Sequence, residues 1–218
     1  MHEMHGRPSP GSPTIVTVGH GTLSAQAFVD LVRKVGVDAI VDVRSFPGSR
    51  RHPHFARSEM EVWLPEGGVE YRWERALGGF RKPRPDSPNV ALRHPGFRGY
   101  ADYMPRPEFD AGIGRLVEAS RQRREGSLAI MCSESVWWRC HRRLIADHLV
   151  LVEGAGVRHL MHDGRLSPHV PAAEARADPD GYLVYDVGHS VPLQLDREET
   201  RTPPSTLRGP PGEQSGSG

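Results

Sequence analysis

The chain has little cysteine and almost no lysine. Its 2 cysteines, Cys132 and Cys140, lie in a sequence with no apolar secretory segment near its start, so we expect reduced thiols and no disulfide framework. Lys34 and Lys82 are its lysines, and its other strongly basic side chains are arginine. Because arginine is used so generally, a cluster of arginines is weak evidence for a binding site.

The sequence also lacks long hydrophobic runs and any large excess of charge. No stretch approaches the roughly 18 consecutive apolar residues that span a bilayer. The formal net charge is +1, so no overall field attracts nucleic acid or anionic lipid, and such contacts would have to be local. We therefore expect a cytoplasmic protein with no membrane partner.

Composition divides the chain into one domain and two tails. Residues 1–13 are rich in Gly, Pro, Ser and His, and residues 197–218 are rich in Pro, Gly and Ser, so both are expected to be disordered tails. The remaining residues, 14–196, are numerous enough to bury one substantial core. We interpret them as a single domain.

Between the tails, β-branched apolar runs alternate with helical patterns. This alternation predicts an α/β domain with a mostly parallel open sheet and helices on both faces, of the Rossmann-like or flavodoxin-like kind. Strands are predicted at 14–18, 37–43, 69–73, 128–131 and 157–161, and helices at 24–36, 58–64, 107–123 and 142–152. Residues 78–98, crowded with Pro, Gly and Arg, are predicted to form a long loop or flap, and loops of that length usually serve a function.

Three predicted strands end in reactive side chains. The first ends at His20, the second at Asp42 and Arg44, and the fourth at Cys132 and Glu134. Ligands of open α/β sheets bind outside the carboxyl ends of the strands, where loops converge and helix N-termini point outward. We therefore predict the functional site at this edge, with Cys132, His20, Glu134 and Asp42 as its catalytic residues.

The thiol of Cys132 is the predicted nucleophile. A cysteine at a strand end, ahead of a helix and close in sequence to Arg139 and His141, can have a lowered pKa and form a thiolate. The alternative is that Cys132 is a small buried residue that completes a core strand. Cys140 is interpreted as a core residue. His20, flanked by glycines, would serve as an acid, a base or a hydrogen-bond donor, or else as a turn residue.

Arginines near these strand ends predict binding of an anionic group. Arg44 can grip a phosphate or carboxylate through its planar guanidinium, or it can form an internal ion pair with Asp42 that only orders the loop. The arginines and aromatic residues of 44–57 also fit a single-stranded nucleic-acid groove, with a solvated loop as the favoured alternative. The predicted substrate-binding residues are Arg44, Arg50, Arg51, Arg139, His141, Arg142 and Trp138.

No cofactor is predicted. Cys132, Cys140, His141 and His20 could together hold zinc, since thiolate and imidazole suit that ion. However, the sequence has no paired C-x-x-C or H-x-x-x-H spacing, so a zinc site is disfavoured.

Several ordered motifs along the chain carry a family resemblance. They are Thr17 to Thr22, Val41 to Pro47 with Ser49 to Arg51, Gly78-Gly79, Arg98 to Met104, and Met131 to Glu134 with Trp138 to Arg142. With these motifs the chain resembles the family catalogued as domain of unknown function 488, from about Thr14 to Pro168. The resemblance implies a compact α/β fold in which the motifs are grouped, and no established reaction. The chain carries Ser133 and Trp137 where the family usually has Ala and Pro.

Two hypotheses of function follow. The first is an enzyme, a cysteine-dependent transferase or hydrolase acting on a small anionic substrate that carries phosphate, a nucleotide or sulfur. In this hypothesis Cys132 attacks, His20 or Glu134 transfers protons, and Arg44 and Arg139 hold the substrate. The second is a non-catalytic protein that binds a nucleotide or nucleic acid.

Overall fold

A computed structural model describes residues 13–48, 50–123 and 125–188 of the chain. The predicted tails, 1–13 and 197–218, lie outside these residues except for Pro13, and so does the end of the predicted domain from 189 to 196. Within the part that is described, no helix is long and apolar enough to cross a membrane.

A six-stranded sheet forms the centre of the described structure. Its strands are β1 (Thr14–Gly19), β2 (Val37–Asp42), β3 (Glu70–Trp73), β4 (Ser127–Cys132), β5 (Gly156–Leu160) and β6 (Leu166–Pro168). They lie in the order β3-β2-β4-β1-β5-β6, and all neighbours are parallel except the antiparallel pair β5 and β6. Two further strands, β7 (Ala175–Ala177) and β8 (Leu183–Tyr185), form a separate hairpin. Their short length leaves no alternating pattern, so the sequence did not predict them.

Helices cover both faces of the sheet. They are α1 (Ala25–Lys34), α2 (Arg57–Glu66), α3 (Pro95–Tyr103), α4 (Pro107–Arg121) and α5 (Arg142–Leu151). One apolar layer holds Phe28 of α1 and Met60 of α2, and the other holds Phe109 of α4 and Leu144 of α5. The predicted α/β class, with a mostly parallel open sheet between two helical layers, is therefore confirmed.

Local sequence explains where α1 begins and ends. The Ser24 hydroxyl accepts a hydrogen bond from the backbone N–H of Ala27 at 3.2 Å and so caps the first turn. Phe28 and Leu31 repeat at helical spacing and are buried. Gly36 adopts a φ of 76° directly after the helix, which a residue with a side chain rarely does, and the chain then enters β2.

The segment 78–98 was predicted to be a loop, but its last residues form the first turn of α3. Pro95 occupies the first helical turn, where a missing N–H costs nothing. The His94 ring nitrogen Nδ1 accepts from the backbone N–H of Gly96 at 3.1 Å. The irregular stretch therefore ends at His94, and the rest of the segment remains available to flank the sheet edge.

The strand order makes neighbours of the three strand ends that carry predicted site residues. β4 lies between β2 and β1. Gly19 pairs with Cys132, and Asp42 pairs with Met131. The ladder continues one step beyond β1, because the backbone N–H of His20 donates to the carbonyl oxygen of Cys132 at 3.0 Å. Backbone hydrogen bonds thus hold these ends in a defined register.

Candidate functional site

A cleft of about 680 Å³ lies at the carboxyl ends of β1, β2 and β4. Parallel strands deliver their following loops to one edge of a sheet, which is where ligand sites form. The predicted site residues that line the cleft are His20, Arg44, Cys132, Glu134, Arg139 and His141. Lining residues that were not predicted as site residues include Ser45, Phe46, Phe80, Lys82 and Cys140.

Gly19, the last residue of β1, allows the loop after β4 to cross close to the strand. A Cβ atom on Gly19 would lie 2.0 Å from the backbone oxygen of Glu134 and 2.7 Å from the Cα atom of Ser135. Since these neighbours are backbone atoms, they cannot rotate aside. The absence of a side chain at Gly19 therefore allows the backbone of Glu134 and Ser135 to pack directly against the end of β1.

We expect Gly19→Ala to lower the free energy of unfolding by about 1–3 kcal/mol, because the added methyl group forces the loop to shift. Thermal or urea unfolding measures this loss. Gly114→Ala in α4 is a matched control, since a Cβ there meets nothing within 4 Å and alanine favours a helix. A Gly19→Ala protein as stable as Gly114→Ala would contradict the close approach.

Cys132 and Cys140 lie together at the floor of the cleft. Cys132 ends β4, and Cys140 follows the short 3₁₀ turn Trp137–Arg139, just before α5. Cys132 is 8% exposed and Cys140 is 5% exposed, and both pack against the apolar core while also lining the cleft. Burial in the core and a place in the site are therefore compatible for these two residues.

The surroundings of the two thiols separate their acidities. The neighbouring Cys132 thiol lowers the pKa of Cys140 to about 6, with a further lowering by the charge of Arg142, against the opposite effect of burial. The Arg142 Nε atom donates to the Cys140 sulfur at 3.4 Å. The pKa of Cys132 is raised to about 12, because it interacts with the more acidic Cys140 and is buried. Cys140 is therefore the thiol that ionises more readily.

His141 stands beside Cys140 in a defined tautomer. Its Nε2 atom lies 2.9 Å from the carbonyl oxygen of Val43, which can only accept, so Nε2 carries a hydrogen. Its Nδ1 atom then faces the Cys140 sulfur at 3.6 Å. Gly79 leaves room for the ring, since a Cβ there would lie 3.0 Å from Nδ1. This placement allows Nδ1 to exchange a proton with the thiol.

His20 lines the cleft as a neutral ring. It stacks on Phe55 with centroids 4.0 Å apart, and its Nδ1 atom donates to the carbonyl oxygen of Gly21 at 3.0 Å. Burial, followed by the charge of Arg44, lowers the pKa of His20 to about 3. At neutral pH the ring offers its Nε2 lone pair, 3.4 Å from Arg44 Nη1, as a hydrogen-bond acceptor. Its catalytic role stays a prediction.

Asp42 and Arg44 form the internal ion pair that the sequence raised as one alternative. Asp42 is fully buried, and the Arg44 Nη2 atom lies 2.6 Å from its Oδ2 atom. The Tyr71 hydroxyl donates to the same oxygen at 2.8 Å. Asp42 is not among the described residues that line the cleft, whereas Arg44 is. The carboxylate thus positions the guanidinium at the edge of the cleft.

The other predicted binding residues divide by location. Arg139 is exposed at the cleft, and so is Lys82, which was not predicted. Neither has an ion-pair partner in the portion of the chain that the structure covers. Arg142 is only 1% exposed and lies behind Cys140, where it also donates to the carbonyl oxygen of Glu134. Three of the predicted binding residues are exposed but do not line the cleft: Arg50, Arg51 and Trp138.

Cys132, Cys140 and His141 also form a group that could hold a metal ion. Their ligand atoms all lie within 4.8 Å of one another, and thiolate and imidazole suit zinc. His20, the fourth member of the disfavoured zinc site, is not part of this group. Structural zinc usually takes four protein ligands, so the described residues do not complete a closed structural site.

Sequence reasoning undervalued two parts of the cleft. Cys140 was interpreted as a core residue, although its neighbours His141 and Arg142 are the groups that contact its sulfur. Phe80 and Lys82 were not singled out, and the signal for them was the unusual length of the predicted loop at 78–98. The signals for both were present in the sequence, as the residues that follow Cys140 and as the length of the loop.

Comparison with known families supports the motif resemblance. A family model described as domain of unknown function DUF488 matches residues 24–149, which is more than half of the chain. The matched range contains Arg44, Cys132 and Cys140, whereas His20 and its flanking motif precede it. The resemblance is therefore confirmed over this range. No curated protein and no solved structure matches the chain.

Proposed function

The chain belongs to the DUF488 family, and we propose that it is an enzyme, a cysteine-dependent transferase or hydrolase that acts on an anionic substrate in the cleft. The observation that carries this proposal is the position of the Cys140 sulfur, 3.4 Å from Arg142 Nε and 3.6 Å from His141 Nδ1. A cation and an imidazole beside a thiol are the usual means of activating a cysteine nucleophile.

In this proposal the nucleophile is Cys140, whereas the sequence pointed to Cys132. Both thiols line the cleft, so access does not separate them. The contact with Arg142 does, because a buried guanidinium favours the charged sulfur next to it. Cys132 then acts as a hydrogen-bond donor that stabilises the Cys140 thiolate.

The proposed reaction has two steps. In the first, His141 Nδ1 takes the thiol proton, the Cys140 thiolate forms a bond to the electrophilic atom of the substrate, and the leaving group departs with its electron pair and with that proton from Nδ1. In the second, water or another acceptor attacks this intermediate, His141 Nδ1 takes the proton, and the thiolate is released. Water as acceptor makes the enzyme a hydrolase, and any other acceptor makes it a transferase. Glu134, which also lines the cleft, is a second candidate for proton transfer.

The charge of the cleft supports an anionic substrate. Arg139 and Lys82 present cationic side chains to it, and no carboxylate in the described part of the chain neutralises either one. Arg44 also reaches the cleft, although Asp42 balances its charge. Arginine and lysine bind phosphate and carboxylate groups through charge-assisted hydrogen bonds.

The rate of Cys140 alkylation by iodoacetamide tests the proposal. We expect the rate to follow a pKa of about 6, so that labelling remains fast at pH 7, and we expect Cys132 to stay unlabelled under these conditions. Peptide mass spectrometry distinguishes the two sites. Inorganic phosphate should slow the labelling of Cys140 by occupying the cationic cleft.

Cys132→Ser is the informative comparison variant, because it weakens the hydrogen bond to the thiolate and should shift the Cys140 labelling profile to higher pH. If Cys140 in the unchanged protein labels like an ordinary thiol, with a pKa of roughly 8.5, the nucleophile proposal fails. A non-catalytic nucleotide-binding protein would then be the remaining hypothesis. Labelling that begins only after a chelator is added would also count against a free nucleophile.

A further inference from the structure

Two phenylalanines stand exposed at the cleft. Phe46 is 74% exposed and Phe80 is 89% exposed, and both line the cleft. Their ring centroids are 6.3 Å apart, with the planes inclined by 55°. Exposed aromatic surface is unfavourable in water, and a patch of it at a concave site marks a contact with a ligand.

The backbone holds Phe80 in place at a conformational cost. Its φ of 58° lies in the left-handed region, and within the described residues it is the one residue other than glycine with a positive φ. Bulky side chains rarely adopt this conformation, and such strain is concentrated at ligand sites. Phe80 thus combines a strained backbone conformation with a place in the lining of the cleft.

A hydrogen bond between two loops fixes the pair. The Ser45 hydroxyl donates to the carbonyl oxygen of Gly79 at 2.6 Å. Arg81 Nη1 donates to the same carbonyl oxygen at 2.8 Å. Because Phe46 follows Ser45 and Phe80 follows Gly79, this junction brings the two rings together from segments more than 30 positions apart. Hydrogen bonds between the two loops thus hold the aromatic pair at the cleft.

Cations and aromatic faces therefore occur in one cleft. Lys82 and Arg139 can receive a phosphate, and Phe46 and Phe80 can receive a flat ring. We infer that the substrate class is a planar aromatic ring joined to a phosphate, as in a nucleoside monophosphate, with the ring on Phe46 and Phe80. The inference rests on the proposed function for the phosphate half of the ligand.

Equilibrium binding to the full chain carrying Cys140→Ser, which prevents turnover, tests this inference. Titration calorimetry would compare adenosine monophosphate with ribose 5-phosphate, which has the same phosphate and no base. We expect the base to tighten binding about tenfold, the usual scale for stacking on aromatic side chains. Phe46→Ala and Phe80→Ala should each remove most of that gain and leave the affinity for ribose 5-phosphate unchanged.

Val170→Ala is the matched control, because Val170 is 74% exposed and does not line the cleft. It should bind both ligands like the unchanged chain, and thermal melting checks that each variant is folded. Equal affinity for the two phosphates overturns the aromatic site, while phosphate protection of an activated Cys140 keeps the proposed function. If binding depends on the base but Cys140 labels like an ordinary thiol, the aromatic site stands and the proposed function fails. If the chain binds neither adenosine monophosphate nor ribose 5-phosphate, the inference is overturned. The same holds if an added titration shows that it binds only oligonucleotides.

Discussion

Asp147→Ala should destabilise the protein by about 3–5 kcal/mol, because it removes the acceptor at the end of a buried polar chain. Asp147 is fully buried in α5. Its oxygens accept from His169 Nε2 at 2.8 Å, from the backbone N–H of Ala172 at 3.0 Å and from the Tyr185 hydroxyl at 2.9 Å. Without the carboxylate, three donors lose their partner at once, and those of His169 and Tyr185 are buried.

The chain of hydrogen bonds continues to the sheet. One set of hydrogen positions satisfies every contact, in which His159 Nε2 donates to His169 Nδ1 at 2.9 Å and the Thr17 hydroxyl donates to His159 Nδ1 at 2.7 Å. Trp137 stacks on His159 with centroids 3.8 Å apart. Because Trp137 belongs to the turn before Cys140, the network also supports the loop that carries the proposed nucleophile.

Thermal unfolding measures this prediction, and a loss of that size should lower the melting temperature by about 10 °C. Asp163→Ala is the matched control, because Asp163 pairs with Arg165 at an exposed site and surface pairs contribute little. A melting temperature of Asp147→Ala close to that of Asp163→Ala would show that the buried chain does not support the fold. Asp147→Asn, which retains one acceptor oxygen, should fall between the two.

Acidification from pH 7 to pH 5 should destabilise the protein well before its carboxylates titrate. Burial is the first cause that lowers the pKa of His20 to about 3, of His148 to about 4 and of His159 to about 3. In the unfolded chain these rings titrate near 6.5. Below that pH the unfolded state binds more protons than the folded state, so stability is full above pH 6.5 and is lost as the pH falls toward 3.

Each of these histidines should contribute about 1.4 kcal/mol per pH unit to the loss within that window. Urea unfolding at a series of pH values measures the slope. His148→Gln should reduce the slope by one proton, because the buried Nδ1 atom of His148 has no partner among the described residues and its ring is held neutral by burial. A free energy of unfolding that is flat between pH 7 and pH 5 would mean that these rings become charged in the folded state.

Local patterns predicted the elements that build the site. The apolar run before Cys132, the cap at Ser24 and the helical spacing of Phe28 and Leu31 act over a few residues, so spacing along the chain reveals them. The general rule for parallel sheets then placed His20, Arg44 and Cys132 at one edge, and all three line the cleft. The position of the cleft could therefore be predicted without coordinates, while the function of its residues stays a prediction.

The roles of individual residues in the cleft could not be predicted in this way. The preference for Cys140 over Cys132 depends on which sulfur Arg142 contacts from the first turn of α5. The sequence left open whether Arg44 grips an anionic ligand or pairs with Asp42, and in the structure the fully buried Asp42 forms the ion pair with Arg44. Such contacts depend on side-chain direction within a packed interior, which residue type alone does not determine.

By itself the sequence determined the alternation of strands and helices, the family and the chemical groups at the strand ends, because these follow from periodicity, caps and motifs that are local. Only the tertiary structure decided the order in which β2, β4 and β1 adjoin, the thiol that meets a guanidinium, and the meeting of Phe46 with Phe80. The strand order and the aromatic pair join distant segments, whose relative placement is set by the packing of the two apolar layers around the sheet. The contact between Cys140 and Arg142 is local, but it depends on the direction in which the buried side chains point.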